Sequence, residues 1–434
     1  MMRTVLSSAF VFCFASSLSR LRLPGILVVV CSLLPAVSFA ERIDLEIYAG
    51  TYDSVPIAVC AFPPAAGERL KKDLPWQTIA DDLEFSGRFR VLRLSERDTT
   101  QLAAENIGIT IEGRYELTGD TLTMECRLCD AFSQETILGK RFAGLESESR
   151  KMAHRFANIV YEFLFSERGI FESSILFIRD NGAVKTVCCM DYDGRNVRAL
   201  TSASTINLFP CFADSGIFFW VSYLKGTPDL FKGSLRGAGL GEPFIVTKHT
   251  ETSPSYSPVE MRLAYASSED GNLEIYTCDI DGGDRKQLTF NRAVDTSPCW
   301  SPEGYNIAFI SDRTGQPQLY VMDNEGANVR RLTFEGSYQD SPAWSPRGNL
   351  IAYTSLRNGK YDIWVITPEG KDARQVTTKA GSNEYPSWSS NGSHIVFHSI
   401  LGGKSELYAI RPDGTGLKRL TDVGNARMPD WSQF

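Results

Sequence analysis

Two kinds of architecture stand in series in this chain: an α/β two-layer domain, then an all-β six-bladed β-propeller. Three observations predict them. Trp300, Trp344 and Trp388 stand 44 residues apart in near-copies of one segment, 296-TSPCWSPEGYNIAFIS-311, 340-DSPAWSPRGNLIAYTS-355 and 384-EYPSWSSNGSHIVFHS-399, and Trp431 follows 43 later. Each repeat contains four short apolar runs separated by turn signals. The stretch in front, residues 41 to about 168, does not repeat and mixes strand and helix patterns.

The repeat runs deeper than its tryptophans. Tyr256 and Phe212 occupy the same column, and a proline precedes each aromatic by two: Pro210, Pro254, Pro298, Pro342, Pro386 and Pro429. A second column holds Ile217-Phe218-Phe219, Leu263-Ala264-Tyr265, Ile307-Ala308-Phe309, Ile351-Ala352-Tyr353 and Ile395-Val396-Phe397. A third runs from Leu230-Phe231 to Leu407-Tyr408, and a fourth from Leu200-Thr201 to Leu420-Thr421. Turns of the type 301-SPEG-304 and 345-SPRG-348 join the first two runs, with proline presetting the first turn position and glycine taking positive φ. Asp-Gly and Asn-Gly tips at 270-DG-271, 358-NG-359, 281-DG-282 and 413-DG-414 join the others. Four strands at a period of 40 to 45 residues signal a propeller blade, and no 3.6-residue period supports a helical repeat. The second-strand column has an extra early member, Ile175-Leu176-Phe177, with no proline-aromatic strand before it. The surplus first strand is 428-MPDWS-432, so the C-terminal strand is expected to complete the first blade and close a ring of six over 174–434. A seventh blade would require a strand set from the front domain.

In that front domain, 43-IDLEIYAG-50, 57-IAVCAF-62 and 89-FRVLRL-94 have strand patterns. A helix is expected within 71-KKDLPWQTIADDLEFSG-87, ending at Gly87, and a short one from about Asp98 to Asn106. Two or three strands follow between Ile107 and Phe142. The last helix, 147–165, carries Met152, Phe156, Ile159, Val160, Phe163 and Leu164 as a core-facing stripe. Helices and strands mixed in this length suggest two layers, and the short linker 166-SERGIFES-173 suggests that the domains touch.

Residues 1–40 contain Arg3, Arg20 and Arg22, no acid, and an apolar run ending in small residues. That composition predicts a secretory leader cleaved after Ala40. The alternative is an uncleaved anchor, although the run Leu23–Leu34 is short for a span. Cleavage removes three of 45 basic residues and none of 52 acidic ones, taking the net charge from −7 to −10. An acidic protein is a poor nucleic-acid partner, since phosphate contacts dominate that affinity. Eight of ten cysteines remain: Cys60, Cys126, Cys129, Cys188, Cys189, Cys211, Cys278 and Cys299. An exported protein can bridge some of them; buried inert thiols are the plainer reading. The 126-CRLC-129 motif has no second CxxC to complete a four-thiolate site and lies in an alternating, strand-like run.

The chain lacks the Gly-x-Ser-x-Gly elbow of a hydrolase. The glycines of 237-GAGLG-241 do not join a strand to a helix, so they resemble a lengthened turn rather than a nucleotide loop. His394 and His398 share a strand face but have no evident third metal ligand, and no cofactor is expected. The repeated tryptophans suit blade packing better than sugar stacking, because a ligand site would break the symmetry. A propeller serving a hydrolase or binding carbohydrate remains the alternative class.

Taken with 55-VPIAVCAFP-63 and 79-IADDLEFSGRFRVL-92 in the front domain, the PxWSPxGxxIAFxS…LYxMD…RLT repeats make the chain resemble the TolB family of the Tol-Pal envelope system. The resemblance covers the whole mature chain and implies a non-enzymatic periplasmic scaffold. It implies docking of the peptidoglycan-associated lipoprotein Pal on the propeller, engagement of TolA-like inner-membrane-linked Tol proteins by the mature N-terminus, and contact with other outer-membrane proteins. Support of outer-membrane integrity and of constriction at cell division goes with these. The N-terminus here is Glu41, Arg42, Ile43, Asp44, Leu45, Glu46, Ile47, whose alternating Ile43, Leu45 and Ile47 suit strand addition to a partner sheet. Asp44 and Glu46 depart from the family, and an ordinary first strand is the alternative. In such a propeller the run before each aromatic is innermost, so the loop entering it is expected to rim the channel. That places Asn207 and Leu208, Glu251 and Thr252, Asp295 and Thr296, Gln339 and Asp340, Asn383 and Glu384, and Arg427 on one ring for Pal. Glu251, Asp295, Asp340 and Glu384 should make it acidic. A solvated rim or a bound cation are the alternatives.

Overall fold

The computed structural model describes residues 54–433, without 68, 203, 214, 215, 238, 240, 379 and 380. The leader 1–40, the strand expected at 43–50 and the segment Glu41–Ile47 lie outside the described residues. The described residues fall within one compact unit.

The first domain runs β1 (Val55–Cys60), β2 (Pro64–Gly67), α1 (Pro75–Phe85), β3 (Phe89–Leu94), α2 (Thr99–Ala104), β4 (Ile109–Thr118), β5 (Thr121–Asp130), β6 (Thr136–Leu145) and α3 (Ser149–Phe165). Its sheet has the order β3-β1-β4-β5-β6, with β2 also on β4. β1 is parallel to both β3 and β4, and the hairpins β4–β5 and β5–β6 are antiparallel. Pro75 opens α1 where a missing N–H costs nothing, and Gly87 takes φ +69 just past its end. Asp98 caps α2 by accepting from Thr100 N and Gln101 N at 2.9 and 3.2 Å. Ile79, Leu83, Phe156 and Val160 of α1 and α3 pack on Ile57 and Val59. Leu102 of the short α2 joins Ala58 and Cys60 on the opposite face, a partial third layer that the hydrophobic pattern did not announce. Cys126 faces the main core and Cys129 the other face of β5, three residues on in a strand, so the CxxC motif forms no joint site.

The propeller has six four-stranded antiparallel sheets. Blade 1 is assembled from both ends of the domain: inner strand Ala426–Trp431, then Ser174–Asp180, Lys185–Asp191 and Arg198–Ala199. Trp431 pairs with Ile175 in register, and its Nε1 donates to Ser173 Oγ at 2.8 Å. Blades 2 to 6 begin with inner strands Asn207–Phe212, Glu251–Ser257, Asp295–Trp300, Tyr338–Trp344 and Ser382–Trp388. Trp388 and Trp431 are 2% and 0% exposed, so those columns pack blades together. Blade 2 departs from the column in one detail: Trp220, not Phe219, pairs with Phe231 across its second and third strands.

Polar residues are also buried by design of the repeat. In each of blades 3 to 6 the threonine closing the outer strand donates to a third-strand acid or amide: Thr289 to Glu274 at 2.6 Å, Thr333 to Gln318 at 2.8 Å, Thr377 to Asp362 at 2.8 Å and Thr421 to Glu406 at 2.6 Å. The same hydroxyl accepts from the third strand's backbone, as Thr421 Oγ1 does from Leu407 N at 2.9 Å. Buried polar groups must be paired, and this is why a Thr follows the apolar residue in these four repeats.

Candidate functional site: the propeller channel and its two ends

Each inner strand carries a bulge, and at each bulge one residue before proline takes left-handed φ: Phe209, Ser253, Ser297, Ser341, Tyr385 and Met428, between 49° and 57°. Such φ costs non-glycine residues on the order of 1–3 kcal/mol and persists only where the surroundings impose it. The bulge turns the second residue beyond it toward the next blade. There Ser255 Oγ accepts from Trp300 N at 3.3 Å, Cys299 Sγ from Trp344 N at 3.2 Å, Ser387 Oγ from Trp431 N at 2.9 Å and Asp430 Oδ2 from Phe212 N at 2.6 Å. Ser387 also donates to Asp430 Oδ1 at 3.1 Å. These latches ring an axial cavity of about 380 Å³ walled by the six prolines. Asp430 latches the strand that closes the ring, and its desolvation there pushes its pKa up to about 6. Cys211 and Cys299 also line the cavity; neither is bridged, and burial pushes Cys299 up to about 12. All eight described cysteines are free thiols.

At the mouth, the eleven predicted rim residues do not form one exposed ring. Asn207, Glu251, Asp295, Gln339 and Asn383 are 0 to 4% exposed. Leu208, Thr252, Thr296, Asp340, Glu384 and Arg427 are half-buried along the mouth. The reason is the period of a strand. These positions already belong to the inner strands, where neighbours point opposite ways. The first of each pair faces its own blade, opposite Ser222, Ser267, Ser311, Ser355 and Ser399. Glu251 accepts from Thr247 Oγ1 at 2.7 Å and Ser267 Oγ at 3.3 Å, and burial raises its pKa. Asp295 accepts from Asn291 Nδ2 at 2.7 Å and Arg313 Nη2 at 2.8 Å. Glu251 and Asp295 are therefore removed from the acidic rim. Asp340 and Glu384 remain, with Tyr338 OH donating to Asp340 at 3.4 Å and Ser382 Oγ to Glu384 at 2.9 Å. Arg427 brings positive charge beside them and approaches Asp180 at 3.9 Å.

The opposite end holds the first domain. Phe85, at the end of α1, stacks on His394 with ring centroids 4.5 Å apart and planes 10° apart, under the Lys418 ammonium at 4.7 Å. His394 Nε2 donates to Phe85 O at 3.1 Å and its Nδ1 accepts from Ser393 Oγ at 2.8 Å. Burial, then the Arg411 charge, lower its pKa to about 4. Beside it, Arg150 donates to His154 Nε2 at 3.2 Å, His154 Nδ1 donates to Asp82 at 2.8 Å, and Tyr192 of blade 1 donates to the other Asp82 oxygen. Arg150 also pairs with Asp193. Burial, then the Arg427 charge, lower the pKa of His398, four residues beyond His394, to about 3. Among the described residues no group of three or more His, Cys, Asp or Glu is placed to hold a metal, and no described helix is long and apolar enough to cross a membrane.

The description of the TolB beta propeller domain matches residues 161–434, and that of the TolB amino-terminal domain matches residues 43–137. The chain belongs to the TolB family. A Tol-Pal system protein TolB of Desulfosudis oleivorans is 34% identical over 277 residues, 59% of this chain and 62% of that protein. One of Cereibacter sphaeroides is 32% identical over 231 residues, 48% of this chain and 52% of that protein. The matches thus span less than two thirds of these relatives' own length. The crystal structure of TolB from Acinetobacter baumannii superposes with a TM-score of 0.75 at 24% identity, covering 88% of this chain and 97% of that one, a likeness of fold. Within this TolB fold, the bulges and latches were not anticipated. Their signal was present in the constant proline, one residue after every left-handed position. The face of each rim residue had a signal too, in the alternation of the inner strand.

Proposed function

We propose that this chain is a non-enzymatic, periplasmic component of the Tol-Pal system, exported by a leader ending at Ala40, with an α/β domain over 41–168 and a propeller over 174–434. In this reading the mouth of the channel docks the peptidoglycan-associated lipoprotein Pal. The mature N-terminus, Glu41 to Ile47, engages a TolA-like inner-membrane-linked protein. Support of the outer membrane, including at division, follows from bridging the two. The observation that carries the reading is the succession of both TolB family domains along one chain. The mouth supplies the docking chemistry: Asp340 and Glu384 on one side, Arg427 beside them, and the neutral Leu208, Thr252 and Thr296 across from them. Such a mixed rim favours a partner surface of matching, largely positive pattern.

The test is capture from the detergent-solubilised envelope by residues 41–434, beside the variant D340A/E384A. Capture of a peptidoglycan-bound lipoprotein by the parent, and its loss from the variant at unchanged thermal stability, is the expected result. Absence of that lipoprotein from both would overturn the reading.

A further inference from the structure

Blades 3 to 6 carry one aromatic pair on facing positions of their second and third strands: Tyr265 and Tyr276, Phe309 and Tyr320, Tyr353 and Trp364, Phe397 and Tyr408. In three of the four an arginine of the chain itself lies on that pair. In blade 4 the Arg313 guanidinium sits 5.3 and 5.0 Å from the two ring centroids. Its Nε donates to Ser311 Oγ at 2.8 Å and its Nη2 to Asp295 at 2.8 Å. In blade 5 the Arg357 guanidinium is 3.6 Å from the Trp364 centroid, with Nε on Ser355 Oγ at 3.2 Å and Nη1 on Glu335 at 2.8 Å. Blade 3 has Glu269 at the position of these arginines. It receives Arg285 from another strand end at 2.5 Å, and Arg285 Nε then donates to Tyr265 OH at 2.9 Å, 6.0 Å over Tyr276.

Blade 6 keeps the seat and lacks the cation. Phe397 and Tyr408 are 6.1 Å apart and near-parallel at 22°. Ser399 stands where Ser311 and Ser355 stand, and Asn383 where Asp295 stands, each on the same 44-residue step. The position of Arg313, Arg357 and Glu269 is Leu401, which is 57% exposed. A cleft of about 310 Å³ opens there between blades 5 and 6, bounded by Leu401, Leu417, Tyr408, Phe397, Asn383 and Ser399. Asn383 Nδ2 is committed to Asp362 at 2.8 Å, and no hydrogen bond from a described residue reaches Asn383 Oδ1 or Ser399 Oγ.

We propose that this cleft binds a guanidinium group supplied in trans: an arginine side chain of a partner protein, laid on Tyr408 and donating to Ser399 Oγ and Asn383 Oδ1. A planar cation stacks on an aromatic face, and the guanidinium fork reaches two acceptors from one seat, which an ammonium does not. A leucine would meet the apolar walls but leave both oxygens unpaired. The chain's net charge of −7 favours a cationic visitor over a neutral one. The site lies on the flank between two blades, so it stands or falls independently of the channel mouth.

The probe is N-acetyl-arginine amide, with the blocked lysine and leucine as controls, titrated into the methyl-labelled chain while the Leu417 methyl signals are followed. Arginine amide should shift them, and the lysine and leucine amides should shift them far less. L401R, which copies blades 4 and 5, should fill the seat and abolish the shift. L401E, which copies blade 3, should tighten arginine binding several-fold. Leu401 is exposed, so both variants should melt with the parent. The proposal is overturned if leucine amide moves the signals as strongly as arginine amide, if arginine amide moves nothing, or if L401R leaves the response intact. Because the readout is direct binding, lipoprotein capture at the mouth can succeed or fail without changing it.

Discussion

The two ends of the propeller treat irregularity in the repeat differently. At the mouth end, residues change from blade to blade at Asn207, Glu251, Asp295, Gln339 and Asn383, yet all five are buried, and Asn207, Glu251 and Asn383 tie their blades to the preceding one. At the other end, the repeat is broken by His394, Arg411 and Tyr192, and these meet the first domain together with Lys418, which keeps the basic column of Lys286, Arg330 and Arg374. Variation among small hydrogen-bonding residues is compatible with one structural job, because each can satisfy the same buried partners. A bulky or charged residue in place of a turn residue is not interchangeable, and Arg411 and Tyr192 each make a contact outside their blade.

The sharpest way to break this comparison is at the domain-facing end. Phe85→Ala removes a ring that is 8% exposed and stacked on His394, and should destabilise the protein by about 3–5 kcal/mol. Because the core continues from the first domain into blade 1, it should also split one unfolding transition into two. A single transition with an unchanged midpoint in calorimetry would show that the stack holds nothing. Next comes the mouth. Glu251→Ala should cost about 1–3 kcal/mol, as it strands the Thr247 and Ser267 hydroxyls. Thr252→Ala, one residue on, should stay within about 0.5 kcal/mol. Denaturant melts giving equal costs for the pair would refute the assignment of opposite faces.

A smaller effect separates the ends by pH. Asp430 has a folded pKa of about 6, above the ordinary 3.8, so its stabilisation is full below 3.8 and is lost as pH rises through about 6. His394 has the opposite sign: lowered from 6.5 to about 4, it contributes fully above 6.5 and loses that contribution as pH falls through about 4. Asp430→Asn keeps an oxygen for Phe212 N but cannot ionise. Its melting temperature should gain on the parent's as pH rises from 4 to 6. Parallel curves would place the titration elsewhere.

The architecture was legible because it is periodic. Apolar columns at a step of 44, turn residues between them and one surplus strand at the C-terminus are local facts, and they lead to six blades closed by Trp431. The helices of the first domain were readable through Gly87, Asp98 and the stripe on α3, of which Met152, Phe156 and Val160 are buried while Phe163 is exposed. Which rim residues meet solvent was not readable from spacing alone. It depends on whether Glu251 lies in a loop or already in the strand, and one residue of difference reverses every face. Nor could a linear pattern show that Asp82, from a helix, and Tyr192, from a blade turn 110 residues later, share one buried hydrogen bond. Burial and pairing are properties of what surrounds a side chain, and those surroundings exist only once distant segments have packed.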